Sequence, residues 1–203
     1  MSLLALTVFL FFVLSIRVRD HITFTDEQTL SVPTVTVVDP QVGPKDAVVT
    51  IVNFGDYQCP SCADLDASLA TLRQEFPNDL RIVWKDMPNT SVHDEALNAA
   101  IAARCAGEQK QFWPYHQLLM QNSVQLGNDL YLALADNLQL RTNAFSRCLE
   151  DQTTLPLVQR SFDEGVALDI AATPTIYVNG ERYTGDLTES ELRHAIEAQI
   201  SGL

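Results

Sequence analysis

The sequence predicts an α/β fold: a mixed sheet built in the order β-α-β … β-β-α, with an all-helical insertion between its two parts. Three observations predict it. The apolar run Val48-Val49-Thr50-Ile51-Val52-Asn53-Phe54 is followed by a helical repeat at Leu65, Leu69, Leu72 and Phe76, then by Leu80-Arg81-Ile82-Val83-Trp84-Lys85. Strand, helix and strand of these lengths make a βαβ unit with parallel strands. Further on, Thr175-Ile176-Tyr177-Val178, Asn179-Gly180 and Arg182-Tyr183-Thr184 read as a hairpin on a type I′ turn. Between the two pieces no strand pattern occurs.

The chain of 203 residues is long enough for a real core, and its formal charge of -13 argues against nucleic acid or an anionic membrane surface as partner. Leu3 to Ile16 is almost wholly apolar. That is short for a spanning helix of about 20 residues and suits a signal-peptide core. Residues 1–19 are expected to be an uncleaved membrane anchor, with a cleaved signal as the alternative. Arg17 and Arg19, with no basic residue before the segment, would by themselves hold the domain in the cytoplasm. An even number of cysteines, four, fits export to an oxidising compartment instead.

Residues 20–46, punctuated by Pro33, Pro40, Gly43 and Pro44, read as a linker with a short edge strand at Val35-Thr36-Val37-Val38. The main domain is then 47–203. Its insertion, about 89–169, holds five helical stretches, near 95–105, 112–119, 130–138, 143–149 and 157–168. His93 and His116 fall in it and read as structural residues, and its aromatic stripe reads as core. Thr188-Glu189-Ser190-Glu191 is a capping box opening a last helix, with Leu192, Ile196 and Ile200 on one face.

The chemistry lies in Asp56-Tyr57-Gln58-Cys59-Pro60-Ser61-Cys62, between the first strand and its helix. Pro60 suits the first helical turn, so Cys59 stands at a helix N-terminus and Cys62 one turn in. Free N–H groups and the helix dipole lower the pKa of a thiol placed there. Two cysteines at this spacing can close a disulfide, with Cys59 as nucleophile and Cys62 as the resolving partner. Zinc needs two more closely spaced ligands, which the sequence lacks, so no metal is expected. A purely structural bridge over so small a loop would restrain little chain.

The stretch Phe54-Gly55-Asp56-Tyr57-Gln58-Cys59-Pro60-Ser61-Cys62 resembles the active-site segment of DsbA-like thiol-disulfide oxidoreductases. Ala102-Ala103-Arg104-Cys105-Ala106, Phe112-Trp113-Pro114-Tyr115-His116, Phe145-Ser146-Arg147-Cys148-Leu149 and Thr173-Pro174-Thr175-Ile176-Tyr177-Val178-Asn179-Gly180 follow in the family's order, so that the resemblance covers roughly residues 47 to 200. It implies a thioredoxin fold with a helical insertion. It also implies a cis Pro174 beside the cysteines, which the tertiary amide of an X-Pro bond makes accessible. The Thr173 backbone could then pair with an extended substrate segment. Cys105 and Cys148 would form a structural disulfide, as in some family members, or remain two buried thiols. A bridge would close a loop of about 44 residues, worth roughly 4 kcal/mol of loop-closure entropy.

The sequence departs from the strongest oxidants of that family in carrying Pro60-Ser61, without histidine, between the cysteines. Asp56 and Gln58 make the setting less electropositive, and Lys85 is a candidate for offsetting this by tuning the thiols. The expected activity is disulfide exchange with cysteine-containing exported proteins, as an oxidase reoxidised by a membrane partner of the DsbB or VKOR type. The resemblance implies no metal or organic cofactor. The alternatives are a reductase or isomerase kept reduced by a membrane donor, and a non-catalytic peptide-binding module. Nothing in the sequence suggests a dimerisation domain, so a monomer is expected.

Overall fold

A computed structural model describes residues 30–184 and 188–202. The expected anchor or signal over 1–19, and the first part of the linker, lie outside the described residues. Among those described, no helix is long and apolar enough to cross a membrane.

Five strands form one sheet in the order β1-β3-β2-β4-β5. They are β1 (Gln41–Val42), β2 (Val49–Gly55), β3 (Leu80–Asp86), β4 (Thr175–Val178) and β5 (Glu181–Thr184). Strand β2 runs parallel to β3 and antiparallel to β4, so it is central and buried on both faces. Its side chains alternate: Val49 and Ile51 pack with Leu65, Leu69, Leu72, Leu192 and Ile196, while Val52 and Phe54 pack with Val83, Leu168, Ile170 and Tyr177. The first group lies on α1 (Pro60–Glu75) and α7 (Glu189–Ser201), which therefore cover one face. Residues Leu168 and Ile170 come from the chain following α6 (Leu155–Ala167) and cover the other. This is the α/β mixed sheet expected.

The insertion comprises α2 (Ala96–Gly107), α3 (Phe112–Gln121), α4 (Asn128–Asn137), α5 (Thr142–Glu150) and α6. Its core is continuous with the catalytic turn, because Tyr57, Cys59, Cys62 and Trp84 belong to the same cluster as Tyr115, Leu119, Tyr131 and Phe145. Two turn expectations correspond to the backbone found. Asn179 and Gly180 have φ of 48° and 88°, as a type I′ turn requires. Thr188 and Glu191 satisfy each other's backbone donors in a capping box.

The linker differs from expectation. Val35–Val38 is not a strand; Thr36 N–H and Oγ1–H both donate to Asp39 Oδ2, at 2.7 and 2.8 Å, and fold the segment into a turn. The edge strand falls at Gln41–Val42, antiparallel to β3. Thr34 donates from N and Oγ1 to Glu164 Oε1 of α6, at 2.6 Å each, and Asp39 pairs with Lys85. Residues 34–42 are thus part of the folded body.

Candidate active site

Cys59 is the N-cap of α1, with Pro60 as its first residue, and Cys62 follows one turn on. Proline there costs no hydrogen bond, and its fixed φ directs the chain into the helix. Both thiols are free, Cys59 8 % exposed and Cys62 not exposed at all. The Thr173–Pro174 bond is cis, and the Thr173 carbonyl lies 3.5 Å from Cys59 Sγ. Residues 59, 62, 173 and 174, remote in the chain, are therefore brought to one end of the sheet.

The two sulfurs are unequal. The Cys59 pKa falls from an ordinary 9.0 to about 6, chiefly through a hydrogen bond from the Cys62 thiol. The Cys62 backbone N–H and the Thr173 side chain add to this, while burial and the Asp56 charge oppose it. The Cys62 pKa is raised, because its proton is held in the bond to Cys59 and its sulfur is buried. One thiolate and one retained thiol follow, the division of labour that disulfide exchange needs.

The turn before Cys59 is tied down residue by residue. The Asp56 carboxylate accepts from Gln58 N–H and Asn89 N–H, both at 2.8 Å, and from His93 Nδ1 at 2.9 Å. Its own N–H points at Cys62 Sγ, 3.5 Å away. The Gln58 side-chain oxygen accepts from Glu95 N–H at 2.8 Å. Burial keeps the Tyr57 hydroxyl protonated, and it sits 2.9 Å from His116 Nδ1, whose Nε2 reaches Asp66 Oδ1 at 2.8 Å. Three consecutive residues thus each lock the cysteine turn to a different partner.

Lys85 is fully buried, its ammonium between Asp39 Oδ1 at 2.9 Å and Glu164 Oε2 at 2.7 Å. A buried ammonium is held where carboxylates neutralise it, and these two carboxylates are its partners. Cys105 on α2 and Cys148 on α5 are joined, with an S–S distance of 1.98 Å. Among the described residues no group of three His, Cys, Asp or Glu could hold a metal ion. His93 and His116 are structural residues, as expected, but their partnerships with Asp56, Tyr57 and Asp66, and that of the Gln58 side chain with Glu95, were not anticipated from the sequence. The nearest local signal is Asp66, one helical turn beyond Cys62 and on the same face.

Residues 35–198 match a family model described as thioredoxin. The chain belongs to the thioredoxin family. Within it the relatives are of the DsbA-like kind. BdbD of Bacillus subtilis is 25 % identical and superposes with a TM-score of 0.75 over 84 % of this chain and 97 % of BdbD. ScsC of Proteus mirabilis is also 25 % identical, with a TM-score of 0.71 over 83 % of this chain and 74 % of ScsC. A curated relative named Na(+)/H(+) antiporter NhaA 1, from Salinispora arenicola, is 34 % identical over 160 residues, 79 % of this chain and 24 % of that protein. The chain thus spans about a quarter of the length of the curated relatives it matches. Its thioredoxin sheet, helical insertion and Cys59–Cys62 pair are laid out as in these DsbA-like structures.

Proposed function

We propose that this chain is a thiol-disulfide oxidoreductase that forms disulfides in exported proteins, with Cys59 as the nucleophile and Cys62 as the resolving thiol. The observation that carries the reading is the asymmetry of the pair: a Cys59 thiol lowered to about 6 beside a buried, proton-holding Cys62. A stabilised thiolate favours the reduced enzyme, which makes its disulfide an electron acceptor. A substrate thiolate attacks Cys59 Sγ of the disulfide, Cys62 leaves and takes a proton, and a mixed disulfide forms. A second substrate thiolate then attacks the substrate sulfur of that mixed disulfide. Cys59 leaves as thiolate, and the substrate carries the new disulfide.

A cleft of about 400 Å³ opens beside Thr173, lined by Met87, Pro88, Phe162, Val166 and Ile170 among others. Val166 and, on the neighbouring loop, Val92 are 54 % and 66 % exposed. This apolar ground next to the Thr173–Pro174 backbone supports an extended substrate segment carrying apolar side chains. Regeneration falls to a membrane quinone-linked partner of the DsbB or VKOR type, with the domain outside the cytoplasm, held by residues 1–19 and acting as a monomer. The antiporter-named relatives, in which a like domain occupies a quarter of the protein, support work beside a membrane.

A second reading is favoured by the size of the shift. A pKa of about 6 is nearer thioredoxin, about 7, than DsbA, about 3.5, which suits an isomerase or reductase. Equilibration with glutathione buffers separates them. A potential nearer about −120 mV than about −270 mV is expected for the oxidase. A value at the lower end would replace that reading with the reductase.

A further inference from the structure

His93 stands in the β3–α2 loop with its side chain 23 % exposed, and Nδ1 lies 2.9 Å from Asp56 Oδ2. A carboxylate only accepts, so Nδ1 carries a proton and Nε2 is the nitrogen that gains or loses one. Asp56 is buried and joined to both sulfur-bearing residues. Its N–H reaches Cys62 Sγ at 3.5 Å, and its carbonyl accepts the Cys59 N–H at 3.3 Å. Its negative charge opposes ionisation of Cys59. The other two donors to its carboxylate, Gln58 N–H and Asn89 N–H, are neutral, and among the described residues no Lys or Arg pairs with it. The acidic neighbours of His93 in the chain are Asp94 and Glu95. Glu95 is turned to Tyr131 of α4, whose hydroxyl donates to Oε2 at 2.9 Å, and to Asn98 of α2.

We propose that His93 is a positioning residue that tunes the Cys59–Cys62 couple through its bond to the Asp56 carboxylate. The proposal deepens the function above and rests on Cys59 being the attacking thiolate. In the disulfide form neither sulfur is charged, and His93 faces Asp56 alone. On reduction two electrons come from a substrate dithiol and the S–S bond breaks. One of the two protons released goes to Cys62, and Cys59 remains a thiolate. The second proton goes to solvent. A cationic imidazole on Asp56 Oδ2 offsets that charge, favours the Cys59 thiolate and makes the disulfide the stronger oxidant.

The test compares wild type with His93→Gln, which keeps an N–H donor for Asp56 but cannot become a cation. Ultraviolet thiolate absorbance of the reduced proteins gives the Cys59 midpoint. The Cys59 midpoint should rise in His93→Gln by roughly half a unit to one unit. The equilibrium with glutathione should move roughly three- to tenfold towards the disulfide. His93→Lys should restore the lower value, which a purely structural role would not predict. A Cys59 midpoint unmoved in His93→Gln overturns the proposal. Absence of any Cys59 thiolate transition below neutral pH in wild type would overturn instead the nucleophile assignment beneath it.

Discussion

The imidazole of His116 bridges two points on one stretch of chain: Nδ1 meets the Tyr57 hydroxyl at 2.9 Å and Nε2 meets Asp66 at 2.8 Å. Tyr57 lies just before the catalytic helix and Asp66 in its second turn, so a residue of the insertion closes a staple across the cysteines. The ring is fully buried and packed among Tyr57, Trp84, Phe112 and Trp113, with centroids 4.7 to 5.6 Å away.

Replacing His116 by Phe should therefore keep the packing and strand the hydroxyl. A buried polar group left without a partner costs about 1–3 kcal/mol. Urea denaturation should show that loss in His116→Phe. Adding Tyr57→Phe removes the stranded group, so the double variant should recover part of it.

Reduced and disulfide forms should differ in how their stability responds to pH. Cys59 has a folded pKa of about 6 against an ordinary 9.0. A depressed pKa stabilises the folded state fully above the unfolded value, and the gain is lost as pH falls through the folded one. The raised pKa of Cys62 acts only above the ordinary thiol range. Between pH 6 and 9 the reduced form should therefore gain stability relative to the disulfide form, which has no thiol to titrate. Melting both forms across that window gives the difference, with other groups common to both.

What the sequence made legible was whatever is local. The apolar run Val48–Phe54, the spacing of Leu65, Leu69 and Leu72, the Asn179-Gly180 turn and the Thr188 cap are each local to a few neighbouring residues. The sulfur pair was legible for the same reason, being four consecutive residues at a strand–helix junction. Polar partnerships across the fold were not. Tyr57, Asp66 and His116 are single polar residues with nothing beside them to announce the bond. The ion pair of Lys85 was hidden because its partner Glu164 lies 79 positions away. The β-branched run Val35–Val38 promised a strand, but the Thr36–Asp39 turn intervenes and leaves Val37 98 % exposed.

Lys85→Met tests the placement of that ammonium. It would leave the Asp39 and Glu164 carboxylates buried with no cation between them. Breaking a buried pair in this way costs about 3–5 kcal/mol. The loss should be relieved in part at low pH, where the two acids can take up protons. The Cys59 thiolate midpoint should stay where it is in wild type. A midpoint that moved upward would return Lys85 to the role of tuning the thiols.

The Cys105–Cys148 bond ties α2 to α5 across a separation of 43 residues, entirely within the insertion. Its removal by paired substitution to Ala frees that loop in the unfolded chain, which loop-closure entropy values at roughly 4 kcal/mol. The bond borders Thr154, whose hydroxyl lies 3.6 Å from Cys105 Sγ and donates to the Ile101 carbonyl at 3.2 Å, so local packing adds to the loss. Because Cys59 belongs to the same apolar cluster, the variant also reports how rigidly the insertion holds the catalytic turn. The ties from Asp56, Gln58 and Tyr57 run to Asn89, His93, Glu95 and His116, none of which the bond touches. Denaturation should therefore show a large loss of stability while the thiolate transition of the folded variant keeps its wild-type midpoint. A shifted midpoint would mean that the bridge, and not those ties, fixes the turn.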